Sequence, residues 1–260
     1  LSASPPAPRH TADAKPKRAN FFAARRAEIQ YGRRLRGVAK QIGDLITGFA
    51  REKDLFEHEL ELGQLLQKYS DMLIPWAKSI ATTMLADVSN RDVAAWSALS
   101  KEMSRDLHKE IASAPTGELM RALLNEQVTL ITSLPIDAAQ RVHRLTLKGI
   151  EGGTRASEIA KEIMRSGQVS RGQATRIART EVARTATALV QARATYAGST
   201  HFKWVSVGDS DVRPLHRKLN GHVFRWDDPP VADEHTGIKA LPGSIWNCRC
   251  WPSPILGEEL

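Results

Sequence analysis

Apolar residues spaced alternately three and four apart constrain this chain more than any other feature. Leu35, Val38, Ile42, Leu45 and Phe49 keep that rhythm, which lines one face of an α-helix and would scatter over both faces of a strand. A second series, Leu55, Leu62, Leu66, Tyr69 and Leu73, runs up to Pro75, where the missing N–H predicts a stop. Further helices are expected over Trp76–Val88, Asp92–Ala112, Gly117–Ser133 and Ile136–Ile150, punctuated by Pro115 and Pro135. Such stripes must bury against one another, so residues 20–150 read as a helical body whose apolar faces are core.

Glu151-Gly152-Gly153 interrupts the pattern. Thr154, with Ser157 as the alternative, is the expected N-cap of a short helix through Arg165, and Gly167 its C-terminal stop. A long helix is expected over Arg171–Tyr196. After Gly198 the composition changes: four of the six tryptophans, Trp204, Trp226, Trp246 and Trp251, fall in the last stretch. His201–Val207 alternates like a strand, Val223–Trp226 and Cys248–Trp251 are further candidates, and Asp227–Gly243 reads as an irregular loop. The fold class is therefore α+β, with a helical body followed by a small α+β module from residue 198 to 260.

Leu1–Ala19 interleaves Pro5, Pro6, Pro8 and Pro16 with Lys15, Lys17 and Arg18, and reads as a disordered basic arm. It lacks the apolar segment of a signal peptide, and the absence of an initiator Met fits a processed chain or a fragment. No run approaches the ~20 apolar residues that span a bilayer, which argues against a membrane partner. Cys248 and Cys250 are the two cysteines; so close a pair seldom forms a disulfide, which points to reducing conditions.

The net charge of +8 is unevenly placed: residues 1–50 carry ten Lys/Arg against three acids, and residues 165–197 carry six Arg against one Glu. The rest of the chain is mildly acidic. Arg25, Arg26, Arg33, Arg34, Arg36 and Lys40 decorate the first predicted helix and are candidates for contact with DNA phosphates or an acidic partner, although a solvated helix face has the same composition.

Two segments read together carry the most specific signal. One is Arg176-Ile177-Ala178-Arg179-Thr180-Glu181-Val182-Ala183-Arg184 on the long helix. The other begins at Trp204-Val205 and runs through Asp209-Ser210-Asp211-Val212-Arg213-Pro214-Leu215-His216 and Leu219-Asn220-Gly221-His222-Val223-Phe224. It closes with Pro242-Gly243 and Asn247-Cys248-Arg249-Cys250. This ordered set resembles the C-terminal domain of the Mu F-like phage head morphogenesis family, over roughly residues 150–255. The domain expected from that resemblance takes in residues 151–260, with helices to about residue 197. Arg179, Thr180, Glu181, Asp209, Arg213 and Gly221 are its structural motif residues. The resemblance implies a minor capsid protein of a tailed bacteriophage or prophage, not an enzyme. Such a protein acts in procapsid assembly at the portal and in genome packaging or delivery. Its implied partners are the portal protein and the major capsid or scaffold protein, with non-specific contact to phage DNA. Its implied location is the head interior or portal vertex of the virion, and the host cytoplasm during assembly.

The residues themselves suggest a metal. On an extended segment Cys248 and Cys250 point to one side, so two thiolates and His216 can share a zinc ion. Asp211 is the candidate fourth ligand, with His222 and Asp209 as alternatives. Some members of the family carry Cys-x-x-Cys where this chain has Arg213-Pro214-Leu215-His216, and Arg213 supplies no ligand atom. The competing reading buries both cysteines as small hydrophobes with His216 hydrogen-bonded in the core. Glu181 is expected to accept hydrogen bonds from Arg213 or a backbone amide and so lock the helix to the module. Asp209, Asp211, His216, His222, Asp227, Asp228 and His235 also keep open a metal-dependent nuclease or other hydrolase, and the basic segments keep open a sequence-independent DNA-binding protein.

Overall fold

The computed structural model describes residues 20–21, 25–55, 57–103, 106–152 and 154–256; the expected N-terminal arm lies outside them. Six helices come first: α1 (Arg25–Glu52), α2 (Glu59–Glu102), α3 (His108–Ser113), α4 (Thr116–Glu151), α5 (Ala156–Met164) and α6 (Ser166–Tyr196). A small sheet follows, made of β1 (His201–Val205), β2 (Val223–Arg225) and β3 (Trp251–Ile255), with α7 (Pro214–Leu219) between β1 and β2. The fold is α+β.

The expected stripes supply the core. Leu35, Val38, Ile42 and Ile46 of α1 meet Leu62, Leu66 and Leu73 of α2, Ile131 and Leu134 of α4, and Ile177, Val182 and Leu189 of α6 in one apolar cluster. A second cluster joins Trp96 at the end of α2 and Val190 and Ala194 of α6 to Phe202, Trp204, Trp226, Cys248 and Cys250. Helix α6 thus belongs to both cores.

Neither interior proline ends a helix. Helix α2 runs 44 residues through Pro75, and α4 runs 36 residues through Pro135. Pro75 is exposed, and buried Leu66, Leu73, Ala77 and Ala81 lie on either side of it on the packed face. Core burial of these side chains, on the order of 1.5–3 kcal/mol for each large one, outweighs the ~3 kcal/mol cost of an interior proline. Hydroxyl groups also bond carbonyls in the turn before Pro135. Ser70 Oγ of α2 donates to the Thr132 carbonyl across 2.8 Å, and Ser133 Oγ to the Leu130 carbonyl across 3.1 Å.

The expected helix over Asp92–Ala112 is split instead between the end of α2 and the short α3. The N-cap of α5 is Arg155, with no side-chain cap bond, rather than Thr154 or Ser157. Gly167 does not stop a helix: it lies in the first turn of α6, against Gly43 of α1. Its missing side chain serves close helix approach.

The sheet is antiparallel with order β2-β1-β3. The last strand begins at Trp251 rather than Cys248 and contains Pro252 and Pro254, opposite Trp204 and Phe202. Prolines fit there because β3 is an edge strand, and their donor-less nitrogens face away from β1.

Candidate metal centre and its clasp on α6

His216, on α7, and Cys248 and Cys250, in the segment before β3, are all buried and bring their ligand atoms within 4.8 Å of one another. His216 Nδ1 lies 3.5 Å from Cys248 Sγ and 3.6 Å from Cys250 Sγ. Helix α7 starts at Pro214, whose fixed φ suits the first helical position, and it ends within six residues. The ring of Trp204 from β1 packs edge-on against His216, with centroids 5.1 Å apart. The other imidazole nitrogen, Nε2, is 2.9 Å from the Ala232 carbonyl. A carbonyl only accepts, so Nε2 carries a proton, and Nδ1 is the ring nitrogen that meets the sulfurs.

The two sulfurs hydrogen-bond each other, and that contact moves their thiol values apart. The hydrogen bond from the Cys250 thiol holds Cys248 down to about 4, against the pull of burial, and His216 helps. The same contact, reinforced by burial, pushes Cys250 above the ordinary thiol value. For His216 burial works against the charged form, but the Cys248 sulfur more than offsets it and the imidazole is shifted up.

The segment carrying the cysteines is clasped to α6. Thr187 Oγ1 donates to the Pro242 carbonyl across 2.6 Å, and the Asn247 N–H donates to Thr180 Oγ1 across 3.1 Å. Gly243 sits between these two bonds with φ +87°. A Cβ there would fall 2.8 Å from both the Cys250 carbonyl and Thr187 Oγ1, so only glycine fits. Its N–H points at Cys248 Sγ, 3.3 Å away.

The remaining motif residues take separate places. Arg179 pairs with Glu28 of α1 across 3.2 Å. Glu181 does not meet Arg213: it points into the helical core, where Gln127 Nε2 of α4 donates to it across 2.7 Å. Arg213 instead donates to the Trp246 carbonyl across 2.8 Å. Gly221, at φ +84°, makes the turn from α7 into β2 and donates its N–H to the Trp204 carbonyl.

Asp211 does not join the cluster. Its side chain is 80% exposed, and Arg249 attracts it from 3.4 Å while pairing with Asp209 at 2.6 Å. Asp227 is held by Arg225 and Asp228 by Lys239, so these acids form local ion pairs rather than one convergent site. Sequence reasoning missed Gln127, Thr187 and Arg249. The alternation of Arg249 with the two cysteines, opposite the acids at 209 and 211, was the available signal for the last of these.

On the outer face of α1, Arg25, Arg26, Arg33, Arg34 and Lys40 are exposed, while Arg36 is half-buried beside Gly32. Lys40 is paired with Asp44 at 2.6 Å; among the described residues no acid pairs with the four exposed arginines.

Residues 140–252 match the family model described as Phage Mu protein F like protein. This segment is similar to a Mu F-like domain. It runs from within α4 to the start of β3 and so contains α5, α6, α7 and the His216–Cys248–Cys250 cluster. A protein of Haemophilus influenzae (strain Rd), described as uncharacterized, is 26% identical over 162 residues, which cover 62% of this chain and 35% of the relative. The matched region therefore spans about a third of that relative's length. No solved structure matches the chain significantly. No helix among the described residues is long and apolar enough to cross a membrane.

Proposed function

We propose that this chain is a minor structural component of a tailed bacteriophage or prophage head, acting in procapsid assembly at the portal vertex and in packaging or delivery of the genome. The observation that carries this reading is the match to the Mu F-like family model over residues 140–252. The helical body supplies a surface suited to the task. Between α1 and α2 lies an open groove of about 1040 Å³, with Tyr69, Met72, Trp76 and Ile80 along it and Arg33 and Arg34 at its edge. An apolar helix face of the portal or capsid protein, flanked by acids, complements that lining.

Procapsids and isolated portal protein test the reading by co-sedimentation. The wild-type chain is expected to sediment with one or both, and Met72→Asp combined with Arg33→Glu to lower retention at least about tenfold, as loss of a central anchor does. A folded wild-type chain that stays in the supernatant with both partners overturns it.

The exposed arginines favour a second, compatible contact with packaged DNA. Binding to duplex DNA is expected to weaken with salt by a slope of ~0.9 per phosphate neutralised, and to lose most of its strength when Arg25, Arg26, Arg33 and Arg34 are replaced by Ser. Salt-independent binding, or none, removes DNA from the list of partners. The pairing-off of Asp209, Asp227 and Asp228 supports an assembly role over a hydrolase, because metal-assisted hydrolysis calls for such groups to converge on one reacting atom.

A further inference from the structure

We infer that His216, Cys248 and Cys250 bind one zinc ion, through Nδ1 and two thiolates, with the fourth coordination position turned to solvent. The inference stands apart from the assembly reading, since it rests on the local geometry of three side chains. A tetrahedral zinc with Zn–N of about 2.0–2.1 Å and Zn–S of about 2.3 Å requires its nitrogen and sulfur ligands to be about 3.6 Å apart. The two Nδ1···Sγ separations are 3.5 and 3.6 Å. Both distances meet that requirement, and all three ligand atoms, each on a buried residue, lie within 4.8 Å of one another.

The surroundings prepare each ligand for a cation. The Ala232 carbonyl takes the Nε2 proton, which is the outer-shell arrangement that fixes a metal-binding imidazole with its free lone pair on the other nitrogen. N–H groups are turned toward the sulfurs: Gly243 toward Cys248, and the Val207 amide and Trp204 indole toward Cys250. The Trp204 Nε1 proton is buried and has no conventional hydrogen-bond acceptor, which leaves the Cys250 sulfur as its target. Two thiolates with one imidazole form a soft donor set that selects zinc over magnesium or calcium.

The fourth position opens into a small cavity of about 130 Å³ beside the cluster, bordered by Val207, Asp211, Arg213 and Asn247. That volume admits a water molecule, which needs only ~10–15 Å³ of such space. Asp211 borders the same cavity, but Arg249 draws its carboxylate outward. The fourth ligand is therefore water or hydroxide. With α7 and the 248–250 segment tied to one ion, the metal staples the module whose clasp on α6 is described above.

The test uses the whole chain, purified under reducing conditions, stripped with a chelator and titrated with Co²⁺ and then Zn²⁺. One equivalent per chain is expected, with a thiolate-to-cobalt charge-transfer band that Zn²⁺ abolishes. Zinc should shield both thiols from a thiol reagent until chelator is added. His216→Ala and Cys250→Ser should each remove the band; because either change can also unfold the module, thiol shielding in the wild-type chain decides independently. Asp211→Asn should leave affinity unchanged. A folded wild-type chain with two reactive thiols and less than a tenth of an equivalent of metal overturns the site, as does a charge-transfer band that survives Cys250→Ser. A loss greater than roughly tenfold in Asp211→Asn, the scale on which even outer-shell changes act, overturns the open fourth position.

Discussion

The backbone N–H of Asn247 donates to the hydroxyl of Thr180 across 3.1 Å, fastening the segment that carries both cysteines to the middle of α6. Asn247 has φ +57°, a left-handed conformation that leaves this N–H little freedom to find another acceptor. Thr180→Val keeps the shape and removes the acceptor. It is expected to cost about 0.5–1.5 kcal/mol in urea unfolding, the net contribution of one hydrogen bond, while Thr180→Ser retains most of the stability. Equal stability of the Val and Ser variants would show that the bond contributes nothing.

Asp92 of α2 and Arg193 of α6 form an ion pair in which both side chains are almost wholly buried. Asp92 Oδ1 and Arg193 Nε have no partner of their own, so the pair is incompletely satisfied. Removing one member, as in Arg193→Met, should cost about 3–5 kcal/mol, because a lone charge stays in the core. Replacing both, Asp92→Leu with Arg193→Met, should return most of that loss. Thermal unfolding of the two single variants and the double variant checks the cycle.

Glu181 gives the stability curve a sign opposite to that of most carboxylates. Burial raises its pKa above the ordinary 4.5, with Gln127 and Arg184 opposing and Glu126 adding to the rise. The folded state therefore holds the proton more tightly than the unfolded chain. This contribution to stability is complete below pH 4.5 and lost as pH rises through the folded-state value. Glu181→Gln, which keeps an acceptor for Gln127, should gain on the wild type as pH is raised from 4.5 to 7.5. A difference between the two chains that is constant over this range would count against a buried titrating Glu181.

Gly43 and Gly167 form an asymmetric contact between α1 and α6. A Cβ on Gly167 would lie 2.8 Å from the Gly43 Cα, whereas a Cβ on Gly43 would lie at an ordinary 3.5 Å from Gly167. Gly167→Ala should thus destabilise by about 1–3 kcal/mol through overpacking. Gly43→Ala should be neutral or gain up to about 1 kcal/mol from helix propensity. The order of the two urea midpoints decides the matter.

The stripe from Leu35 to Phe49 and the long helix ending at Tyr196 were legible because helical periodicity survives in any tertiary context. Pro75 and Pro135 misled because a proline's local penalty is visible in sequence while the burial that offsets it comes from packing against other helices. Gly167 misled for a related reason: a glycine that admits a neighbouring backbone looks the same as one that ends a helix. At the site, the i, i+2 spacing of Cys248 and Cys250 and the position of His216 were enough to group three residues. The partner of Glu181 was not readable, since it depends on which side of α6 faces α4. That choice is set by the whole bundle.

Pro252 and Pro254 have a consequence beyond ending the sheet. The outward row of β3 lacks the donors that a foreign strand would need in order to zip onto it, so this rim is closed to runaway strand addition. A chain produced at high local concentration keeps that border inert without a covering helix, and its contacts with other molecules are left to surfaces that recognise side chains.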